Sequence, residues 1–172
     1  MTHPMKNRAA ICGLGITEMG RVYRSATDLA TEAVFLALKD AGLKKSELDG
    51  LLINAGLTNG VGLTLHGDLG LQELNLLTFM QGYGSSAGQM VQYASMAVAN
   101  GMADYVACVF ADNPLKEGKS AGASYMRARK QDALASLHSM YGIAGANGMY
   151  ALAAQRHMDT YGTTQEQLGN GE

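Results

Sequence analysis

The sequence predicts a single α/β domain with a mostly parallel sheet and crossover helices. Three observations carry this: short apolar runs too brief for helices, amphipathic stretches of helical length between them, and turn residues at nearly every junction. At 172 residues the chain is long enough for one sizeable core and short for two.

The first apolar run, RAAICGLG at 8–15, is broken by Gly13 and Gly15 and reads as a buried strand ending in a turn. A helix is predicted over 26–41. Ser25 stands where it can accept the free amides of the first turn, Asp28 favours the positive helix end, and Gly42 supplies the left-handed stop. Leu29, Ala33, Leu36 and Ala37 make one face of it, with Ala30, Val34 and Leu38 alongside. LLIN at 51–54 is too short for a helix and is a second buried strand. The stretch 55–70 is rich in glycine and threonine, with a short helix expected near Leu65. LNLLTFM at 74–80 lacks alternation, which implies a third strand covered on both faces. GYGSSAG then turns the chain into a helix through QMVQYASMAVAN closed by Gly101, and DYVACVFAD follows as a fourth strand.

From 113 to 145 the sequence is polar, glycine-punctuated and weakly periodic, an excursion from the sheet with a short helix expected over 131–140. A helix returns at 146–160 and stops at Gly162. Thr163 with Glu166 three residues on is the pattern that begins another. The single domain 1–172 therefore carries one long excursion and no linker or repeat.

Composition excludes several partners. Only 16% of residues are charged, against about a quarter in soluble domains, so protein is expected to cover some surface that water would otherwise cover. The net charge is −2 with both signs interspersed, leaving no footprint for nucleic acid or an anionic membrane. No apolar run is long enough to cross a bilayer and no signal segment stands at the start, so a cytoplasmic location is expected. Cys12 and Cys108 lie inside apolar runs and read as buried, reduced thiols. His66, His138 and His157 lack metal-ligand spacing, so no metal site is expected.

Two turns invite chemistry. GLGITEMG has Glu18 at the third glycine position of a dinucleotide fingerprint, and its helix starts too late, so it reads as a strand-end turn rather than a nicotinamide site. Gly84, Ser85 and Ser86 form the stronger candidate. A buried strand, a glycine turn and a helix place them at a helix amino end, where free amides and the dipole stabilise an anion or a thiolate. Read on chemistry alone, the two serines are first of all helix caps.

Four segments in order, RAAICGLGITEMGR, SATDLATEAVFLALKDAGLKKSELDGLLI, YGSSAGQMVQYASMAVANGMADYVACVFAD and YGIAGANGMYALAAQRHMDTYGTTQEQL, resemble the amino-terminal half of the thiolase superfamily. The likeness is greatest to sterol-carrier-protein-type thiolases and the thiolase-like acyl-CoA aldolases and lyases. It implies a layered α/β/α half-fold of lipid metabolism, acting on acyl-CoA thioesters by acyl transfer or by making or breaking a carbon–carbon bond next to the thioester. Coenzyme A enters as part of the substrate and no other cofactor is implied.

In thiolases the acyl-accepting cysteine stands at the start of this helix. Alignment puts it at Gly84 or Ser85, neither of which is a cysteine, and a serine hydroxyl is a far weaker nucleophile without a base. That departure fits the aldolase branch. The resemblance also implies a homodimer through residues 74–80 or a hetero-complex with a partner subunit. The excursion matches the family's acyl-CoA-covering loop, where Lys116, Lys119, Arg127, Arg129 and Lys130 are candidates for the CoA phosphates. Catalytic groups of the family also come from a carboxy-terminal half, absent here, so the chain is expected to be incomplete alone. The alternatives are a non-catalytic binding or scaffold subunit and a truncated, inactive fragment.

Overall fold

The structure is a computed structural model that describes residues 5–120, 137–138, 140–143 and 146–169. The chain divides into two compact units, 1–127 and 128–172.

The first unit is built on three parallel strands. β1 (Gly50–Asn54) is central, flanked by β2 (Leu76–Phe79) and β3 (Val106–Phe110). Gly50 is in register with Leu76 on one side and with Val106 on the other. All five residues of β1 are buried, as expected for a strand with a layer on each face. Leu51 and Ile53 join one core cluster, with Val34 and Leu38 of helix α1 (Ala26–Ala41) and Leu65 of the short helix α2 (Leu65–Asp68). Leu52 points the other way, to Leu76 and to Met90 and Ala97 of helix α3 (Ser86–Ala99). The period-two alternation of β1 thus feeds both layers of an α/β/α sandwich.

Helix α1 starts and stops as its sequence predicts. Ser25 Oγ accepts the Asp28 N–H at 3.0 Å, and Gly42 takes a left-handed φ of 69°, its N–H reaching back to the last turn. The buried stripe is Ala26, Ala30, Val34 and Leu38, one residue every four, rather than the face centred on Leu29 and Ala33. That second face has a different role.

The run at 8–15 is not a strand. It is extended and largely exposed, and it crosses the outside of α1. A Cβ on Gly15 would stand 1.9 Å from the Ala33 carbonyl oxygen, and one on Gly13 would stand 2.4 Å from that of Ala37. The two glycines are there to admit backbone against backbone, over a helix flank kept small by Ala33, Ala37 and Ala41. The Leu14 N–H donates to Asp40 at 2.9 Å, with no sheet pairing for the segment among the described residues. Apolar side chains at Ile11, Leu14 and Ile16 consequently face outward, which corrects the expectation of a buried strand.

Both thiols are exposed and free, against the expectation of burial. Cys12 lies on the uncovered segment. Cys108 stands opposite Leu52 but on the edge strand β3, where cover is thinner. Partial desolvation still pushes the Cys108 thiol up to about 11, so it remains protonated at neutral pH. Strand β2 is likewise an edge strand. Only Leu76 is buried and Phe79 is exposed, so the apolar run 74–80 is not covered on both faces among the described residues.

At the amino ends of the strands Asp49 joins all three. Its carboxylate accepts the Asp104 and Tyr105 N–H groups before β3 and the Asn75 side-chain amide before β2. Partial desolvation, the largest single influence, raises its pKa, but these donors together outweigh it and hold the carboxyl below its ordinary value.

The second unit contains α4 (Ala146–Tyr161), stopped by Gly162 at φ 70°, and α5 (Gln165–Gly169). The cap of α5 is Thr164, not Thr163. Thr164 Oγ1 accepts the Gln167 N–H at 3.3 Å, and Gln167 Oε1 accepts the Thr164 N–H at 2.9 Å. Thr163 Oγ1 instead meets His157 Nδ1 at 3.1 Å. The expected helix over 131–140 lies mostly outside the described residues, with Leu137, His138 and Met140 helical.

Candidate functional site

The carboxyl ends of the three parallel strands open into a cavity of about 470 Å³, the place where open α/β sheets hold their ligands. Its floor follows from the register of β1. Asn54 comes two residues after Leu52, points to the same side, and is completely buried at the start of α3.

A buried amide must be satisfied, and Asn54 is satisfied by the turn beside it. Its Nδ2 donates to the Met80 carbonyl at 2.5 Å and lies 3.2 Å from both Gln81 Oε1 and Ser86 Oγ. Its Oδ1 accepts the Gly56 N–H at 3.0 Å. Ser86 is the second buried polar residue. Its hydroxyl accepts the Gly82 N–H at 2.9 Å and donates to the Tyr83 carbonyl at 2.8 Å. Gln81 bridges the cavity walls, accepting the Tyr83 N–H at 3.1 Å and donating to the Gly56 carbonyl at 2.7 Å. Opposite, Asp112 accepts the Leu57 N–H at 2.8 Å and the Thr58 hydroxyl, anchoring the loop after β1. A Cβ on Gly56 would lie 2.3 Å from the Asp112 carboxylate, so glycine is what lets the two segments close.

The structure brings Gly84 and Ser86 to this cavity and leaves Ser85 off its lining. Ser85 Oγ donates to the Gly82 carbonyl at 2.7 Å and accepts from Gln89 at 3.0 Å. No hydrogen bond to an acid or a histidine involves either serine among the described residues, and both hydroxyl protons are committed to carbonyls. Gly84 is different. A Cβ there would meet nothing within 4 Å, so of the two positions expected to match the thiolase cysteine, Gly84 is open space at the cavity edge.

Lys116 and Lys119 are exposed on the segment that follows Asp112, linked by a backbone hydrogen bond from the Lys119 N–H to the Lys116 carbonyl. Arg127, Arg129 and Lys130 lie outside the described residues. Among the described residues there is no cluster of three or more metal-ligating side chains, and no helix long and apolar enough to cross a membrane.

Asn54, Gln81, Tyr83 and Asp112 were not legible as site residues. One signal was available: a polar residue closing an otherwise wholly apolar strand, Asn54 after LLI, is costly unless something uses it.

No protein-family model matches the chain. It is 33% identical over 165 residues to a steroid side-chain-cleaving aldolase of Thermomonospora curvata, covering 94% of this chain and 42% of the relative. It is 31% identical over 170 residues to a 17-hydroxy-3-oxo-4-pregnene-20-carboxyl-CoA lyase of Mycobacterium tuberculosis, covering 96% and 44%. Among solved structures, the Ltp2-ChsH2(DUF35) aldolase superposes with a TM-score of 0.63 at 32% identity, over 90% of this chain and 39% of that one. The fold is thiolase-like, and the resemblance to acyl-CoA aldolases and lyases holds over nearly the whole chain. An acetyl-CoA acetyltransferase of Methanothermobacter thermautotrophicus is 29% identical over 168 residues. The thiolase-like chain spans about two fifths of the length of these relatives.

Proposed function

We propose that the chain supplies part of an acyl-CoA lyase that breaks a carbon–carbon bond next to the thioester without forming an acyl-enzyme. The observation that supports it is Gly84: an open position at the cavity edge, one of the two that match the thiolase cysteine, followed by two serines whose protons are held by carbonyls.

The chemistry suited to such a site is a retro-aldol cleavage of a β-hydroxyacyl-CoA. A base takes the β-hydroxyl proton, the Cα–Cβ bond breaks to leave a ketone or aldehyde, and the electron pair passes into the thioester enolate. Protonation at Cα releases the shorter acyl-CoA. The space at Gly84 admits the thioester, while Asn54, Gln81 and Ser86 fix the shape of the turn beneath it. The acid and base come from outside the serine pair.

The CoA portion of the substrate runs toward Lys116 and Lys119, with Arg127, Arg129 and Lys130 as further phosphate contacts. The chain works in the cytoplasm as a homodimer through 74–80 or beside a partner subunit. The outer edge of β2, unpaired among the described residues, and exposed Phe79 support an interface there.

The test is turnover of β-hydroxyacyl-CoA by the chain, alone and with the proteins encoded beside it, followed by mass spectrometry of products and protein. Release of a carbonyl compound and shorter acyl-CoA with no adduct on the protein is expected. An acyl adduct on Ser85, lost with activity in Ser85→Ala, would refute this mechanism.

A further inference from the structure

Five of the side chains lining the cavity are polar: Asn54, Gln81, Tyr83, Ser86 and Asp112. Four of them are committed to the protein itself. The Asn54 amide and the Ser86 hydroxyl hold the turn after β2, and Gln81 ties that turn to the Gly56 carbonyl. Each oxygen of Asp112 accepts a donor from the loop after β1. The Tyr83 hydroxyl is the exception, with no hydrogen bond among the described residues. A ligand entering here meets one side-chain donor that is free to turn toward it.

A free hydroxyl on a ring that is 78% exposed means little alone. The backbone supplies the second observation. The φ of Tyr83 is 51°, a left-handed conformation that a residue with a side chain holds only against a steric penalty. Glycine carries such a φ freely and stands on both sides of Tyr83, yet Gly82 sits at −128° and the tyrosine takes the strained place. Both peptide groups of Tyr83 are pinned in that state, the N–H by Gln81 and the C=O by buried Ser86. A strand, a strained apex and a helix, in that order, push one reactive side chain out over the end of a sheet. Here the side chain at the apex is a phenol, beside the open position at Gly84.

We infer that Tyr83 is a catalytic residue whose phenol donates a hydrogen bond to the thioester oxygen while that oxygen carries the enolate charge. This rests on the carbon–carbon cleavage proposed above and names a group which that reading leaves open. As the Cα–Cβ bond breaks, its electron pair settles on the thioester oxygen. The phenol proton stays on Tyr83 Oη throughout, and the pair returns when Cα is protonated. A neutral donor gains little from the resting thioester and much more from the growing negative charge, so its effect falls on the chemical step.

The test uses the complex obtained by expressing the chain with the proteins encoded beside it. The probes are β-hydroxyisovaleryl-CoA, which cleaves to acetone and acetyl-CoA, and β-hydroxy-β-phenylpropionyl-CoA, which cleaves to benzaldehyde and acetyl-CoA. Tyr83→Phe keeps the ring and the backbone and should melt with the wild type. Its kcat should fall ~100-fold, as on losing one donor to a developing oxyanion, with KM within ~2-fold. Tyr83→Gly, relieved of the backbone penalty, should lose as much kcat while melting at or above the wild type. A fall in kcat of less than ~10-fold in Tyr83→Phe, or a loss carried by KM, overturns the assignment and leaves the cleavage reading standing. A wild-type complex that cleaves neither probe overturns both.

Discussion

Replacing Asn54 by alanine removes one side chain and strips partners from two backbone groups. The Gly56 N–H loses its 3.0 Å acceptor and the Met80 carbonyl its 2.5 Å donor. Gly56 is buried and Met80 half-buried, so water does not fully replace what is lost. Each orphaned group costs ~1–3 kcal/mol. Taking the lower half of that range for both, the variant should lose ~3 kcal/mol, or ~6–12 °C in melting temperature for a chain of this size. Thermal unfolding by circular dichroism gives the magnitude. Hydrogen exchange gives the location, with faster exchange at Gly56, which loses its acceptor, and at Gly82, whose acceptor Ser86 is no longer braced. A variant that melts within ~1 °C of wild type with unchanged exchange at both amides would show that the buried amide does not hold the turn.

Three further outcomes are expected. Asp49 has a folded pKa below its unfolded value, so its contribution is full above the unfolded value and is lost as pH falls through the folded one; acid unfolding of wild type and Asp49→Asn should converge at the lowest pH and separate near neutrality, and a constant gap would exclude the linkage. Gly84→Cys should fold like wild type, because its Cβ meets nothing, and its thiol should react with iodoacetamide faster than Cys108, which stays protonated; equal rates would mean that the turn offers an anion no help. Gly15→Ala should destabilise by ~1–3 kcal/mol through overpacking against the Ala33 carbonyl, measured by denaturant titration, whereas Gly84→Ala should be nearly neutral.

Much of the fold could be read from periodicity and punctuation. The helix from Ser25 to Gly42 carried its own start and stop, though its buried stripe runs through Ala30 and Val34 rather than Leu29 and Ala33, and LLIN could only be a buried strand. The failures have a common cause. RAAICGLG is as apolar as LLIN, but its glycines serve contact with a helix flank, and no local pattern tells a residue needed for a turn from one needed for close approach. The site was legible as a turn but not as a set of residues. Gly84 and Ser86 were named from the strand-turn-helix pattern, while Asn54, Gln81 and Asp112 reach the cavity only through the pairing of strands far apart in sequence. Tyr83 gave no signal, since a left-handed tyrosine looks like any other until its backbone is seen.

The central strand sets an order of assembly. The link from Asn54 to Met80 closes 26 residues, whereas the link from Asp49 to Tyr105 closes 56. Chain-entropy scaling makes the longer closure costlier by ~0.7 kcal/mol. The β1–β2 pair and its amide knot can therefore form while β3 is still adrift, and the turn over which the thioester is proposed to lie takes shape before the sheet is complete. On this ordering Phe110, at the end of β3, joins the cavity mouth after the β1–β2 pair has closed.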